Sequence, residues 1–166
     1  LVAFLYLWAV PALSARLALH LPLGLEEKLG DAVVSAFTGK SPECDDPRVL
    51  KIVKTILQRL QDAAPPHPYK LRVTVVKDST VNAFAAPGGR IVVFTGLLKE
   101  MKSPEELAAV MAHEMQHVLC RHATQAIFRA LSTSILLQAL TGDSGSAVNT
   151  ALEGMKSLGS LRYSRE

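Results

Sequence analysis

Five consecutive residues carry the most chemistry in this sequence: His113-Glu114-Met115-Gln116-His117. On a helix, residues four apart are separated by about 40° net, so the two imidazoles leave one face a single turn apart. Two neutral imidazoles so placed can bind one Zn²⁺ at roughly 2.0–2.1 Å each. Glu114 lies about 100° round from His113, close to such an ion without needing to ligate it. It is placed to take a proton from metal-activated water as a general base, the water's pKa having fallen to around 7. The pattern is specific, because chance alone would place roughly 0.008 copies of it in a chain of this composition.

That chemistry needs a helix. Ser103-Pro104-Glu105-Glu106 supplies an N-cap, a proline at the first helical position and a glutamate at the third, which is a capping box. Leu107, Val110, Met111, Val118 and Leu119 then recur at helical spacing, and the pattern predicts a helix running on toward Ala130. His122 departs from the long HExxHxxGxxH pattern, which requires Gly at 120 and His at 123, where this chain has Cys120 and Ala123. On a continuous helix His122 turns about 140° away from His117, so it is read as a polar residue off the metal face. Cys120 is read as a small core residue.

Around this helix the chain reads as one domain of 166 residues, 49% apolar, with a net charge of +3. No dense basic run or aromatic-basic interleaving accompanies the positive charge, which argues against nucleic acid as a partner. The two cysteines, Cys44 and Cys120, are too few for a disulfide framework. The opening run of Leu1 to Leu13 is apolar and uncharged until Arg16, and is read as the end of a transmembrane helix, residues 1–20, with Tyr6 and Trp8 near an interface. Residues 14–24 are expected to be a connector, and a helix is expected from Glu26 to Phe37, stopped by Gly39. Asp46-Pro47 caps an amphipathic helix carrying Val49, Ile52, Val53, Ile56, Leu57 and Leu60, which Pro65, Pro66 and Pro68 end.

Two runs rich in branched residues follow, Leu71 to Val76 and Arg90 to Thr95. Between them lie a short strand, Val81 to Ala85, and the turn Pro87-Gly88-Gly89. Together they predict a small antiparallel sheet beside the HExxH helix. The stretch 141–146 reads as a loop and Ala147 to Leu158 as a further helix. The whole is an α+β domain, mostly helical, spanning 21–166.

The HExxH, the series Asn82-Ala83-Phe84-Ala85-Ala86-Pro87-Gly88-Gly89 with Thr95-Gly96-Leu97-Leu98, and the terminal Tyr163-Ser164-Arg165 together resemble one known family. It is the membrane-associated gluzincin metallopeptidases that include HtpX and the CAAX prenyl endopeptidases, nearest the bacterial anchored branch. The resemblance covers Glu26 to the end. It implies a zincin-like fold, one catalytic Zn²⁺ held by His113 and His117, Glu114 as the catalytic base, and endoproteolysis of membrane or misfolded envelope proteins at a bacterial inner membrane, on its periplasmic face. It also implies a third ligand, a glutamate three residues after Arg165, at position 168. Glu166 stands two residues short of that place, so the metal site is expected to be incomplete within 1–166 and the chain to be cut at both ends. An extended protein or peptide substrate is expected to add as a strand along the edge formed by Asn82, Ala83 and Phe84. Two other readings share the motif. A peptide deformylase needs a cysteine ligand in another context than that of Cys44, and a membrane-tethered chaperone or adaptor would not need an intact Glu114.

Overall fold

The computed structural model describes residues 10–141, which divide into two compact units: residues 10–22 with 121–141, and residues 23–120. The larger unit holds the HExxH. It begins with α2 (Leu23–Thr38), which ends where Gly39 turns left-handed at φ 57°. Next comes α3 (Pro47–Ala63), whose N-cap Asp46 accepts the Arg48 amide proton at 2.9 Å. Val53, Ile56 and Leu57 are its buried stripe, whereas Ile52, expected on that face, is about half exposed.

The sheet has three strands, β1 (Arg72–Val76), β2 (Ala83–Ala86) and β3 (Arg90–Phe94), in the order β1-β3-β2. β2 pairs antiparallel with β3, but β1 pairs parallel with it, so the sheet is mixed rather than antiparallel. The reason lies in the connection. Residues 77–82 leave β1 and cross the C-terminal end of β3 before returning as β2. The crossing is pinned at Asp78, whose carbonyl accepts from the Gly96 amide (2.8 Å) and the Thr95 hydroxyl (2.9 Å). A side chain at Gly96 would run into the carbonyl oxygens of Ser79 and Thr80, which is why the loop can pass there only over glycine. Thr95, expected to close the last strand, opens instead the short α4 (Thr95–Glu100).

The two sheet faces are covered differently. Ala83, Ala85, Val75, Ile91 and Val93 join Val53, Ile56 and Leu57 of α3 and the buried stripe of α5 (Pro104–Leu119) in one apolar core. On the opposite face Phe84, Val92, Phe94 and Val76 pack with Val34 of α2. The outer side of β1 is covered by residues 42–44, through Cys44 N–H to Val75 O and Lys77 N–H to Pro42 O, both 2.8 Å. β2 is the remaining sheet edge, at Ala83–Ala86 rather than 81–85.

The 3₁₀ turn Pro87–Gly88–Gly89 joins β2 to β3 beneath α2. Gly88 sits at φ 68°, and a Cβ there would collide with the Glu27 backbone. Arg90, almost fully buried at the start of β3, bonds the Gly88 carbonyl (3.2 Å) and reaches Asp31 of α2 at 2.8 Å.

The smaller unit contains α1 (Val10–His20) and α6 (His122–Thr141). The expected connector at 14–24 is therefore helical up to His20. The expected continuous helix toward Ala130 is broken: α5 ends at Leu119, and Arg121 takes a left-handed φ of 54° before α6 begins. The Arg121 guanidinium donates to the carbonyls of Ala18 (2.6 Å), Leu21 (3.2 Å) and Leu19 (3.3 Å), satisfying the end of α1. Among the described residues no helix is long and apolar enough to cross a membrane. The first nine residues of the expected anchor lie outside them, as do the loop and helix expected beyond Thr141 and the Tyr163-Ser164-Arg165 segment.

Candidate metallopeptidase site

Helix α5 starts where the sequence says it should. Ser103 Oγ accepts the Glu106 amide proton at 3.3 Å, and the Glu106 carboxylate reaches back to the Lys102 amide at 2.9 Å, one residue earlier than a capping box would place it. Leu107, Val110, Met111, Met115 and Val118 are buried against the core and fix the rotation of the helix. His113 is thereby left exposed, with Glu114 and His117 partly so.

The two imidazoles converge. Nε2 of His113 and Nε2 of His117 stand 3.1 Å apart, with the rings edge to face and centroids at 4.7 Å. Two nitrogens bound at 2.0–2.1 Å to one tetrahedral ion stand roughly 3.3–3.4 Å apart, so the pair fits a zinc ion with almost no movement. Among the described residues no group of three or more His, Cys, Asp or Glu side chains could hold a metal ion. Position 168, expected from the resemblance to supply the third ligand, and Glu166 both fall outside them.

The Glu114 carboxyl is pushed up to about 7 by burial, while the backbone N–H of Ala85 in β2, donated to it, pulls it partly back. Helix α5 packs against β2 here, which places the carboxyl beside the sheet edge. Cys120 is the C-cap residue of α5, where its sulfur accepts from the Gln116 side chain at 3.1 Å. Cys44 and Cys120 are not joined in a disulfide, Cys44 being buried in the core. His122 opens α6 in the other unit. The chain breaks helical geometry at Arg121, so its position does not follow from a continuous rotation.

The edge residues separate. Asn82 accepts the Phe94 amide proton at its carbonyl (3.2 Å), and its side-chain oxygen accepts the Ala83 amide proton (2.9 Å). Phe84 turns to the α2 face, its ring 5.4 Å from Phe37 and 6.0 Å from Phe94, so it packs the core away from α5. Ala85 belongs to the expected edge strand Val81 to Ala85 but is not among the residues assigned to substrate. Its period-two relation to Ala83 was the available signal, since alternate residues of a strand share an orientation.

A helix carrying two convergent imidazoles and an adjacent carboxylate, packed against a sheet edge, has the form expected of a metallopeptidase site. The profile of Peptidase family M48 matches residues 45–165, and the chain belongs to that family. It is 33% identical over 146 residues to the mitochondrial metalloendopeptidase OMA1 of Schizosaccharomyces pombe, covering 84% of this chain and 43% of that protein. It is 29% identical over 118 residues to the beta-barrel assembly-enhancing protease of Escherichia coli, covering 71% of this chain and 24% of that protein. Against the OMA1 of Arabidopsis thaliana it is 48% identical over 64 residues, 39% of this chain and 13% of that protein. The chain spans less than half the length of each of these relatives.

Proposed function

We propose that this chain is the catalytic part of a membrane-associated endopeptidase of envelope protein quality control, with Glu114 as general base and His113 and His117 as zinc ligands. The observation that carries the site assignment is the 3.1 Å approach of the two Nε2 atoms on the helix that also bears Glu114. Bound there, zinc supplies Lewis acidity toward water and the scissile carbonyl. Glu114 receives the water's proton at a carboxylate oxygen and passes it to the leaving amine. The third ligand is assigned to position 168, on the resemblance alone.

The substrate is proposed to lie extended along the edge of Asn82, Ala83 and Phe84, pairing with the outward backbone of Ala83, while the Phe84 backbone stays bonded to β3 and its ring braces the strand from behind. Membrane association is supported by the apolar run that opens the sequence and by Leu13, Leu17 and Leu19, exposed on α1. Placement at a bacterial inner membrane, on the periplasmic face and nearest the anchored branch of the family, draws support from the name of the Escherichia coli relative, which describes a role in beta-barrel assembly.

The test is metal content and casein cleavage of the native gene product, beside its His117→Ala variant. We expect about one zinc per chain and chelator-sensitive cleavage in the first, and loss of both in the second. Full zinc occupancy in His117→Ala would overturn the ligand assignment.

A further inference from the structure

Helix α3 carries the excess charge of the whole chain. It holds four basic side chains, Arg48, Lys51, Lys54 and Arg59, and one acidic, Asp62. The chain has 18 Lys and Arg against 15 Asp and Glu, so α3 alone accounts for the net +3 and the remainder is balanced, fourteen against fourteen. All four basic residues are exposed, on the arc turned away from the buried stripe of Val53, Ile56 and Leu57. The carboxylates that border this arc in sequence are already engaged. Asp46 meets Arg48 at 3.4 Å while capping the helix, Asp45 pairs with Lys77 at 2.6 Å, and Asp62 accepts from the Gln58 side chain at 2.8 Å. One apolar side chain borders the same arc. Ile52 is 51% exposed, takes no part in the core, and lies within about 40° of both Arg48 and Arg59 around the helix axis.

We propose that this face of α3 docks on a bilayer surface rich in anionic lipid, with Ile52 entering the headgroup layer. Basic side chains around an exposed apolar one suit such a surface. The apolar group leaves water, while the Lys and Arg stems extend along it and hold their charges at the lipid phosphates. Nucleic acid fits the face less well, because α3 has no aromatic side chain on which a base could stack. The contact orients the domain. Through Val53, Ile56 and Leu57, α3 shares a core with α5, so the HExxH helix is held about 10 Å behind the helix that meets the lipid. The inference goes beyond the peptidase reading, since it needs neither metal nor turnover. It is also separate from the apolar run that opens the sequence, because its attraction is electrostatic.

The experiment measures partition of the full chain onto phosphatidylcholine vesicles with and without about a third of phosphatidylglycerol, by co-sedimentation. Each Lys or Arg at an anionic surface contributes about fivefold in affinity, so Lys51→Gln/Lys54→Gln/Arg59→Gln should bind the anionic vesicles about 10²-fold more weakly than the parent. Binding to neutral vesicles should be the same for both, which removes any contribution of the apolar run. The control is Lys28→Gln/Lys70→Gln/Lys99→Gln, which takes the same charge from exposed positions elsewhere in the domain and should keep the parent's preference. Raising the salt from about 0.1 to about 1 M should abolish the difference between parent and α3 variant. Ile52→Ser should weaken binding to anionic vesicles at least about threefold without changing the response to salt. Equal losses in the two triple variants would overturn the inference, since net charge and not this face would then be responsible. So would an α3 variant that binds like the parent. An unchanged Ile52→Ser, with soluble polyglutamate displacing the chain from the vesicles, would show a site for an acidic protein in place of lipid.

Discussion

At the scale of single residues, Glu114 is both the most perturbed group and the one with the clearest chemistry. Burial beside the sheet edge raises its carboxyl to about 7, and the Ala85 backbone acts against that rise. Replacing it with glutamine keeps the size and one acceptor oxygen but leaves no group able to take a proton. Glu114→Gln should therefore retain zinc, measured by metal analysis, and lose about 10²–10⁴-fold in kcat on a protein substrate. Undiminished turnover would show that another group is the base. The two histidines differ from it in what they need. Their positions follow from spacing on one helix alone, whereas the environment of Glu114 is made by a strand about thirty residues earlier in the chain.

Among the elements, the turn 87–89 does more than reverse the chain. It carries the helix α2 on its back, and Gly88 meets the Glu27 backbone at a positive φ. Gly88→Ala adds a collision to a strained backbone and should destabilise the fold by about 2–4 kcal/mol in urea unfolding. The junction after α5 is the second informative place. Arg121 is a non-glycine residue in the left-handed region, held there while its guanidinium caps the carbonyls of Ala18 and Leu19 in α1 and of Leu21 just past it. Arg121→Ala loses the cap and keeps the strain. Arg121→Gly loses the cap but relieves the strain. The glycine variant should be the more stable of the two by about 1 kcal/mol, the reverse of the order at an ordinary helical site. Thermal unfolding of the pair decides it, and the ordinary order would mean that Arg121 carries no strain.

For the molecule as a whole, one ion pair ties the site's supporting turn to α2. Arg90, with a side chain 10% exposed, bonds Asp31, whose side chain is 63% exposed. That hydrogen bond holds the Asp31 carboxyl below its ordinary value, against a smaller opposing effect of burial. A carboxyl lowered in the folded state stabilises at pH above its unfolded value, about 3.9, and the contribution is lost as pH falls through the folded value. Solvent screening on the Asp31 side keeps the magnitude small. Asp31→Asn should cost about 1 kcal/mol at pH 7, and the gap between variant and parent should close as the pH is lowered below about 3. A gap that persists unchanged in acid would mean that the pair acts through packing rather than charge.

Much of the site was legible in the sequence, because its geometry is local. The four-residue spacing of His113 and His117 dictates their convergence on any helix. The Ser103–Glu106 cap and the buried stripe from Leu107 to Val118 show that a helix is there and which way it faces. The caps at Asp46 and Gly39 were readable for the same reason. The direction of β1 was not, since a run of branched residues pairs equally well either way. The parallel sense arises only from the 77–82 crossing over Gly96, a contact between segments distant in sequence. The break at Arg121 was hidden because apolar spacing continues past it, and the left-handed turn is sustained by carbonyls about a hundred residues away. The burial of Glu114 beside β2 belongs to the same class. Periodicity along a chain reports which residues share a face, but which backbone donor a side chain meets depends on how separate elements pack, and that was decided only in the tertiary structure.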